Sequence, residues 1–266
     1  MMRSIASFRN SLDFFLRNHL TLTRRGYHEK GLALTDIEPK LNPSDANRIK
    51  QLCHQYRLEE YLPFLEMRSF LDNCMHLWIL DSLRPFIKQK NLHHVLDIGS
   101  KNFSYAVGIF EFIKHINDGE APRTTGIELD ANRLYTNLYT RHECANYYTS
   151  LIPEASFKGG DFLSEDFEAP FDLVINFFPF VLLDSLLDWG LPRRCFNPTA
   201  MFSKCHRILK EEGLLVLSYT DEEEYLAGQI ILENCQFKEM GHIVIETGLT
   251  PKPMFASIYE KKTSLL

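Results

Sequence analysis

The chain has 266 residues, 45% of them hydrophobic and 24% charged, and carries a formal net charge of −6. These fractions suit a folded globular chain and exclude wholesale disorder, a collagen-like repeat and a long coiled coil. A chain of this length buries about three quarters of its unfolded surface, so it requires no disulfide or metal staple.

The first 25 residues hold five arginines (Arg3, Arg9, Arg17, Arg24, Arg25) and a single acid, Asp13. That composition matches a mitochondrial transit peptide. Ile5, Phe8, Leu12, Phe15 and Leu16 also recur at three- and four-residue spacing, which predicts an amphipathic helix. The helix reading is preferred, and with it a cytoplasmic rather than a mitochondrial protein. Gly26, Gly31, Pro39 and Pro43 mark residues 26–43 as a connector. Ser44 is the expected N-cap of a helix over Asp45–Arg57. A helical period then runs from Leu58 to Lys90 through Leu65, Phe70, Leu71, Met75, Trp78, Ile79, Leu83 and Phe86, with Pro63 and Pro85 splitting or bounding it.

After residue 90 the pattern changes. His93–Ile98 is a short apolar strand ending at Gly99, and Phe103–Ile116 has a helical period. Thr124–Leu129 reads as a strand and Asp130–Tyr148 as a helix. Phe157 lies in a short strand ending near Gly160. Phe171–Phe178 is almost continuously apolar, as a buried parallel strand is. A loop rich in Trp, Pro and Arg precedes a helix over Thr199–Leu209, a strand over Gly213–Tyr219 and a helix over Asp221–Cys235. Phe237–Glu246 and Met254–Glu260 alternate around a Gly/Pro turn and predict an antiparallel hairpin. Strands alternating with helices imply a doubly wound, mostly parallel seven-stranded sheet with that hairpin at its C-terminal end. Two parts are expected: an all-helical segment, 1–90, and an α/β domain, 91–266.

Charge divides along the same line. Residues 1–90 carry a net +4 and residues 91–266 a net −10. An acidic main domain is a poor partner for phosphate backbones, so nucleic acid is disfavoured as substrate. The most apolar run, Leu173–Leu183, spans 11 residues and contains Asn176 and Pro179, whereas a membrane-spanning helix needs about 20. The six cysteines include no CxxC pair, which predicts reduced, mostly buried thiols. The histidines have no HxxxH or similar spacing, and no metal is expected.

In a sheet of this kind ligands bind beyond the carboxyl ends of the strands, beside the first. Those ends hold Asp97-Ile98-Gly99-Ser100, Glu128, Asp161-Phe162 and Asn176-Phe177-Phe178. A nucleoside offers matching handles. Glu128 is able to accept both ribose hydroxyls, Asp161 can accept from an exocyclic amine, and Phe162 can pack on a base. Gly99 permits close backbone approach, and Asp97 either orders the loop amides or meets an ammonium group. A nicotinamide site would want G-x-G-x-x-G with an acid about 20 residues on. Gly99-Ser100-Lys101-Asn102-Phe103 lacks that pattern.

On these stretches the chain resembles the class I S-adenosylmethionine-dependent methyltransferases. They are Val95-Leu96-Asp97-Ile98-Gly99, Gly126-Ile127-Glu128-Leu129-Asp130, Gly160-Asp161-Phe162, Phe171-Asp172-Leu173-Val174, and His206–Lys210 leading into Gly213–Val216. The resemblance covers residues 91–262. It implies S-adenosylmethionine as cofactor, held by Asp97, Gly99, Ser100, Lys101, Glu128, Asp161, Phe162 and Asn176, with Asn176 and Tyr219 as candidates to orient the nucleophile. It implies methyl transfer to a small-molecule or protein acceptor, within a pocket capped by residues 1–90. The family writes Asp-x-Gly-x-Gly-x-Gly, and here Lys101 and Phe103 replace the second and third glycines. Lys101 is a candidate to pair with the cofactor's carboxylate. The same two replacements motivate the alternative, a methyltransferase-like scaffold without catalysis that binds a partner. The oligomeric state is not readable.

Overall fold

The computed structural model describes residues 2–20, 23–33, 42–88 and 91–262. The apolar runs after residue 90 become seven strands: β1 (His94–Ile98), β2 (Arg123–Glu128), β3 (Ala155–Gly159), β4 (Phe171–Phe177), β5 (Leu209–Tyr219), β6 (Phe237–Ile245) and β7 (Met254–Lys261). They form one sheet in the order β3-β2-β1-β4-β5-β7-β6. β1 to β5 pair in parallel, while β7 is antiparallel to both β5 and β6. The expected seven-stranded sheet and terminal hairpin are therefore present, with the last strand inserted between its hairpin partner and β5. The chain winds outward from β1 to β3 and then returns to place β4 on the other side of β1. That reversal opens a crevice at the carboxyl ends of β1 and β4.

Helices flank both faces: α1 (Met2–His19), α2 (Pro43–Gln55), α3 (Met67–Leu83), α4 (Ala106–Ile116), α5 (Arg141–Ser150), a short α6 (Leu183–Asp188), α7 (Pro198–Ile208) and α8 (Glu222–Asn234). Among the described residues no helix is long and apolar enough to cross a membrane. On one face Leu52 of α2 and Phe70, Leu77 and Leu80 of α3 share a core with Val107 and Phe112 of α4 and with Leu173, Ile175, Val216 and Ile258 of the sheet. On the other, Leu96, Val174, Leu215 and Leu217 pack under Phe202 of α7 and Leu232 of α8. The N-terminal helices thus continue the hydrophobic layer of the α/β part. A polar stitch reinforces the join: buried Asn73 of α3 donates to the Ser69 and Ser104 carbonyls and accepts from Gly108 N at 2.7 Å. All six cysteines are free, and five are buried.

Several boundaries differ from the sequence expectation for local reasons. The cap of α2 is Asn42, whose side chain accepts from Asp45 N, rather than Ser44. Pro43 occupies the first turn, where its missing N–H is harmless. The stretch Leu58–Lys90 is divided, with 3-10 turns at Leu58–Phe64, containing Pro63, and at Arg84–Phe86, containing Pro85. Helix is absent from Asp130 to Thr140. Thr140 and Glu143 form a reciprocal capping box that starts α5 at Arg141 and holds Thr140 in extended backbone. Leu138 before it takes a φ of 65°. A short helix, α6, replaces the loop expected after β4, and β5 starts at Leu209. Asp221 caps α8, accepting from Glu224 N, and Glu222, Glu223 and Glu224 fill its first turn. The part of the expected connector at 34–41 lies outside the described residues.

Glu29 ties the N-terminal segment down. Its buried carboxylate accepts from Tyr27 OH, Tyr148 OH of α5, Ser69 Oγ of α3 and Glu66 N. Replacing it leaves four donors unanswered at once. Glu29→Ala is expected to lower unfolding free energy by about 3 kcal/mol and the Tm by about 10 °C, with Glu29→Gln milder because its amide oxygen still accepts. Denaturant and thermal melts check this.

Candidate functional site

The turn after β1 repeats one backbone motif. Gly99, Lys101 and Phe103 adopt φ values of 74°, 56° and 54°. These alternating left-handed residues stand where the methyltransferase pattern places its three glycines. For a side-chain-bearing residue such a conformation costs about 1–2 kcal/mol, so the loop keeps its shape against local preference. Phe103 does not crowd the edge. Its ring is fully buried between Tyr105 and Phe157, in a slot that exists because residue 126 is glycine: a Cβ there would lie 2.9 Å from the ring. Lys101 meets the edge through its amide, while its side chain lines a polar cavity together with Arg68 and Asp72.

Glu128, at the carboxyl end of β2, is 5% exposed. Its Oε2 accepts from Lys101 N at 2.9 Å, and its Oε1 accepts from Asp130 N at 2.8 Å and Arg141 Nη1 at 3.0 Å. Oε1 is saturated and Oε2 keeps one lone pair, so the geometry leaves room for one further donor. Gly160 N donates to the Glu128 carbonyl at 2.9 Å, which brings the β3 end alongside. Asp161 is exposed, and its Oδ1 accepts from Leu163 N. Phe162 turns inward, buried with Lys204 Nζ over its ring. Beyond Gly99 and Gly160 the space is open: an added Cβ would meet only Asn176 Oδ1 at 3.9 Å in the first case and nothing in the second. Asn176 is buried beside Gly99 and donates through Nδ2 to Met201 Sδ. The Ser100 hydroxyl faces inward, onto the Asp97 carbonyl. Tyr219 is fully enclosed beside Tyr225 and against Gly228 of α8, apart from this group.

The structure therefore brings Gly99, the Lys101 amide, Glu128, Gly160 and Asn176 together, and Asp161 borders them. It withdraws the side chains of Asp97, Phe162 and Tyr219 into the interior. Asp97 is fully buried; its Oδ2 accepts from Tyr105 OH at 2.9 Å and its Oδ1 has no partner among the described residues. Tyr105 is in turn stacked on His76 at 3.7 Å. Burial raises the Asp97 pKa to about 7, against the opposing hydrogen bond from Tyr105 and with help from the Glu128 charge. Burial also pushes His76 down to about 4, and His76 donates through Nδ1 to the Asp72 carbonyl.

Sequence reasoning missed Arg141. Its guanidinium is buried, bonds Glu128, lies 3.9 Å from Asp130 and sits over the Trp189 ring. The Thr140-x-x-Glu143 capping box was the available signal, since it moves Arg141 from mid-helix to the first turn beside β2. The chain end is also involved. Arg17 of α1 bonds both oxygens of Asp130, at 2.9 and 3.2 Å, and Asn10 donates to the carbonyls of Leu187 and Leu191. Phe14 joins Leu129, Phe180, Leu186, Leu187 and Leu191 in a small cluster at this edge.

Neither protein-family models nor curated proteins match the sequence. Solved structures match its fold. A Listeria monocytogenes protein assigned to the class I S-adenosylmethionine-dependent methyltransferases superposes with a TM-score of 0.52 at 14% identity, covering 82% of this chain and 70% of that one. The N-methyltransferase NodS of Bradyrhizobium japonicum gives a TM-score of 0.49 at 14% identity, covering 73% and 97%. A SAM-dependent methyltransferase of Aquifex aeolicus gives 0.47 at 17% identity, covering 68% and 88%. At such identities the likeness is one of fold: this chain has the architecture of the class I S-adenosylmethionine-dependent methyltransferases.

Because Asp97 binds its proton more tightly when folded, its contribution to stability is complete below the unfolded carboxyl pKa and disappears as pH rises through about 7. His76, held neutral, acts in the opposite sense between about 4 and its ordinary value. Asp97→Asn removes only the first effect. The stability of this variant relative to wild type is expected to rise with pH between about 4 and 7, by about 1.4 kcal/mol per pH unit. Urea melts across that range measure it, and a flat difference rejects a titrating Asp97.

Proposed function

We propose that the chain is a S-adenosylmethionine-dependent methyltransferase acting on a small molecule or a protein. The observation that carries this reading is the loop after β1, where Lys101 and Phe103 keep left-handed backbone without being glycine. Strain of this kind persists where the surroundings demand it, and an observed outlier is a sound starting point for a functional hypothesis.

The residues present fit the cofactor. Gly99 and Gly160 face open space, Glu128 Oε2 retains an acceptor site for a ribose hydroxyl, and exposed Asp161 stands ready for an exocyclic amine. When bound, the cofactor supplies an electrophilic methyl group on a sulfonium. The protein's task is then to align an acceptor and exclude water. Asn176, with Oδ1 toward Gly99, is the group available to orient a nucleophile, and α1 and α6 close the edge. The acidic charge of residues 91–266 favours a non-nucleic-acid acceptor.

The second reading, a scaffold of this fold without catalysis, draws on Arg141. A buried guanidinium already neutralises the carboxylate that the ribose would use.

Calorimetry separates the two. The enzyme reading expects S-adenosylmethionine to bind with a Kd of about micromolar order, Glu128→Gln to weaken it at least about tenfold, and Asn176→Ala to lower kcat more than cofactor affinity. No binding by the wild-type chain supports the scaffold.

A further inference from the structure

Helix α1 docks on the body through a mainly polar face. Asn10 is buried and donates to the Leu187 and Leu191 carbonyls. Arg17 bonds Asp130 and the Gly190 carbonyl, and Asn18 accepts from Asn132 Nδ2 at 3.1 Å. Phe14 adds an apolar contact beside them. The opposite face carries Phe8, Leu12, Phe15 and Leu16, followed by Leu20, whose amide still bonds the Leu16 carbonyl. These five are 74%, 51%, 50%, 41% and 68% exposed. Three- and four-residue spacing lines them up along an 18-residue helix, about 27 Å long. A helix on a protein surface normally buries such a stripe and leaves its polar side in water. Single exposed apolar residues are ordinary, whereas a contiguous patch marks an interaction surface.

Charge decides what covers the stripe. Five arginines fall in the first 25 residues beside a single acid, although residues 91–266 are net acidic. Arg9, next to Phe8, has a side chain 82% exposed, and Arg24 and Arg25 follow the helix in solvent. Exposed Arg194 lies 5.7 Å from the Phe14 ring, with exposed Arg193 adjoining it. Against them stand Asp13, 3.7 Å from Arg9, and Asp184 and Asp188 of α6. A second copy meeting the stripe about a two-fold axis would bring its own arginines with it, and like charges would oppose the contact. An anionic lipid surface complements both features at once. The stripe enters the acyl boundary while the arginines meet headgroup phosphates.

We propose that α1 is an interfacial membrane helix: it lies in the surface of an anionic bilayer and, through the Arg17–Asp130 pair, holds the carboxyl edge of the sheet beside the lipid. The proposal does not depend on the methyltransferase reading. Co-sedimentation of the full chain with vesicles of pure phosphatidylcholine, or of an equal mixture with phosphatidylglycerol, tests it. Binding to the mixed vesicles is expected to be at least about tenfold tighter than to the neutral ones, and to weaken at about 1 M salt. Phe8→Ser combined with Phe15→Ser, and separately Arg9→Gln combined with Arg25→Gln, should each weaken it at least about tenfold. All four side chains are exposed, so thermal melts are expected to match wild type. The arginine variant leaves the stripe intact and keeps the test available if the other misfolds. The proposal is overturned if the chain ignores both kinds of vesicle, if it binds them equally, or if either folded variant binds as wild type does. A wild-type dimer that the phenylalanine substitutions convert to monomer assigns the stripe to a second copy, and overturns it as well.

Discussion

The structure at the carboxyl edge turns on one buried cluster: Glu128, Arg141 and Asp130. Breaking a buried ion pair by removing one partner strands the other and typically costs about 3–5 kcal/mol. Each member here belongs to a different connection. Glu128 ends β2 and receives the β1 loop through the Lys101 amide; Arg141 opens α5; Asp130 receives Arg17 from α1 and Arg133 from its own loop. The cluster thus aligns the β1 loop, the β2 end, α5 and the chain's first helix on a common set of charges. It also decides how much of Glu128 is left for a ligand, because the same guanidinium that holds the carboxylate in place occupies one of its oxygens.

Below this cluster the two core layers divide the work. The layer under α3 and α4 absorbs Phe103 and so keeps a large ring out of the cleft, while Tyr105 and His76 close over Asp97. The layer under α7 and α8 takes in Phe162 and Tyr219. Aromatic residues that sit near strand ends in sequence therefore serve packing, and the groups left at the edge are small, polar or backbone. This is a surface that a ligand approaches through glycines and amides more than through large side chains.

Part of this arrangement is legible in the residues. The apolar runs, the Gly99 stop, Glu128 at the end of its strand and the Gly/Pro turn before β7 announce a parallel sheet with a terminal hairpin, because burial on both faces demands continuous apolar sequence. The segment 130–140 misleads. Leu134, Leu138 and Tyr139 have helical spacing, yet Leu134 and Leu138 are exposed, and the capping box at Thr140 starts the helix later. Spacing reports which residues can share a face and says nothing of whether a core exists for that face to meet.

What the amino-acid order determines alone is the identity and sequence of the elements and the chemistry available at each strand end, since these follow from local periodicity and residue type. Which of those groups reach a ligand was decided only in three dimensions. Asp97, Glu128 and Asp161 are equivalent as letters, but one is sealed under Tyr105, one is shared with Arg141 and one stands in solvent. The difference comes from partners far away in the chain, whose approach is set by packing of the helices on the sheet, a property that no local window contains.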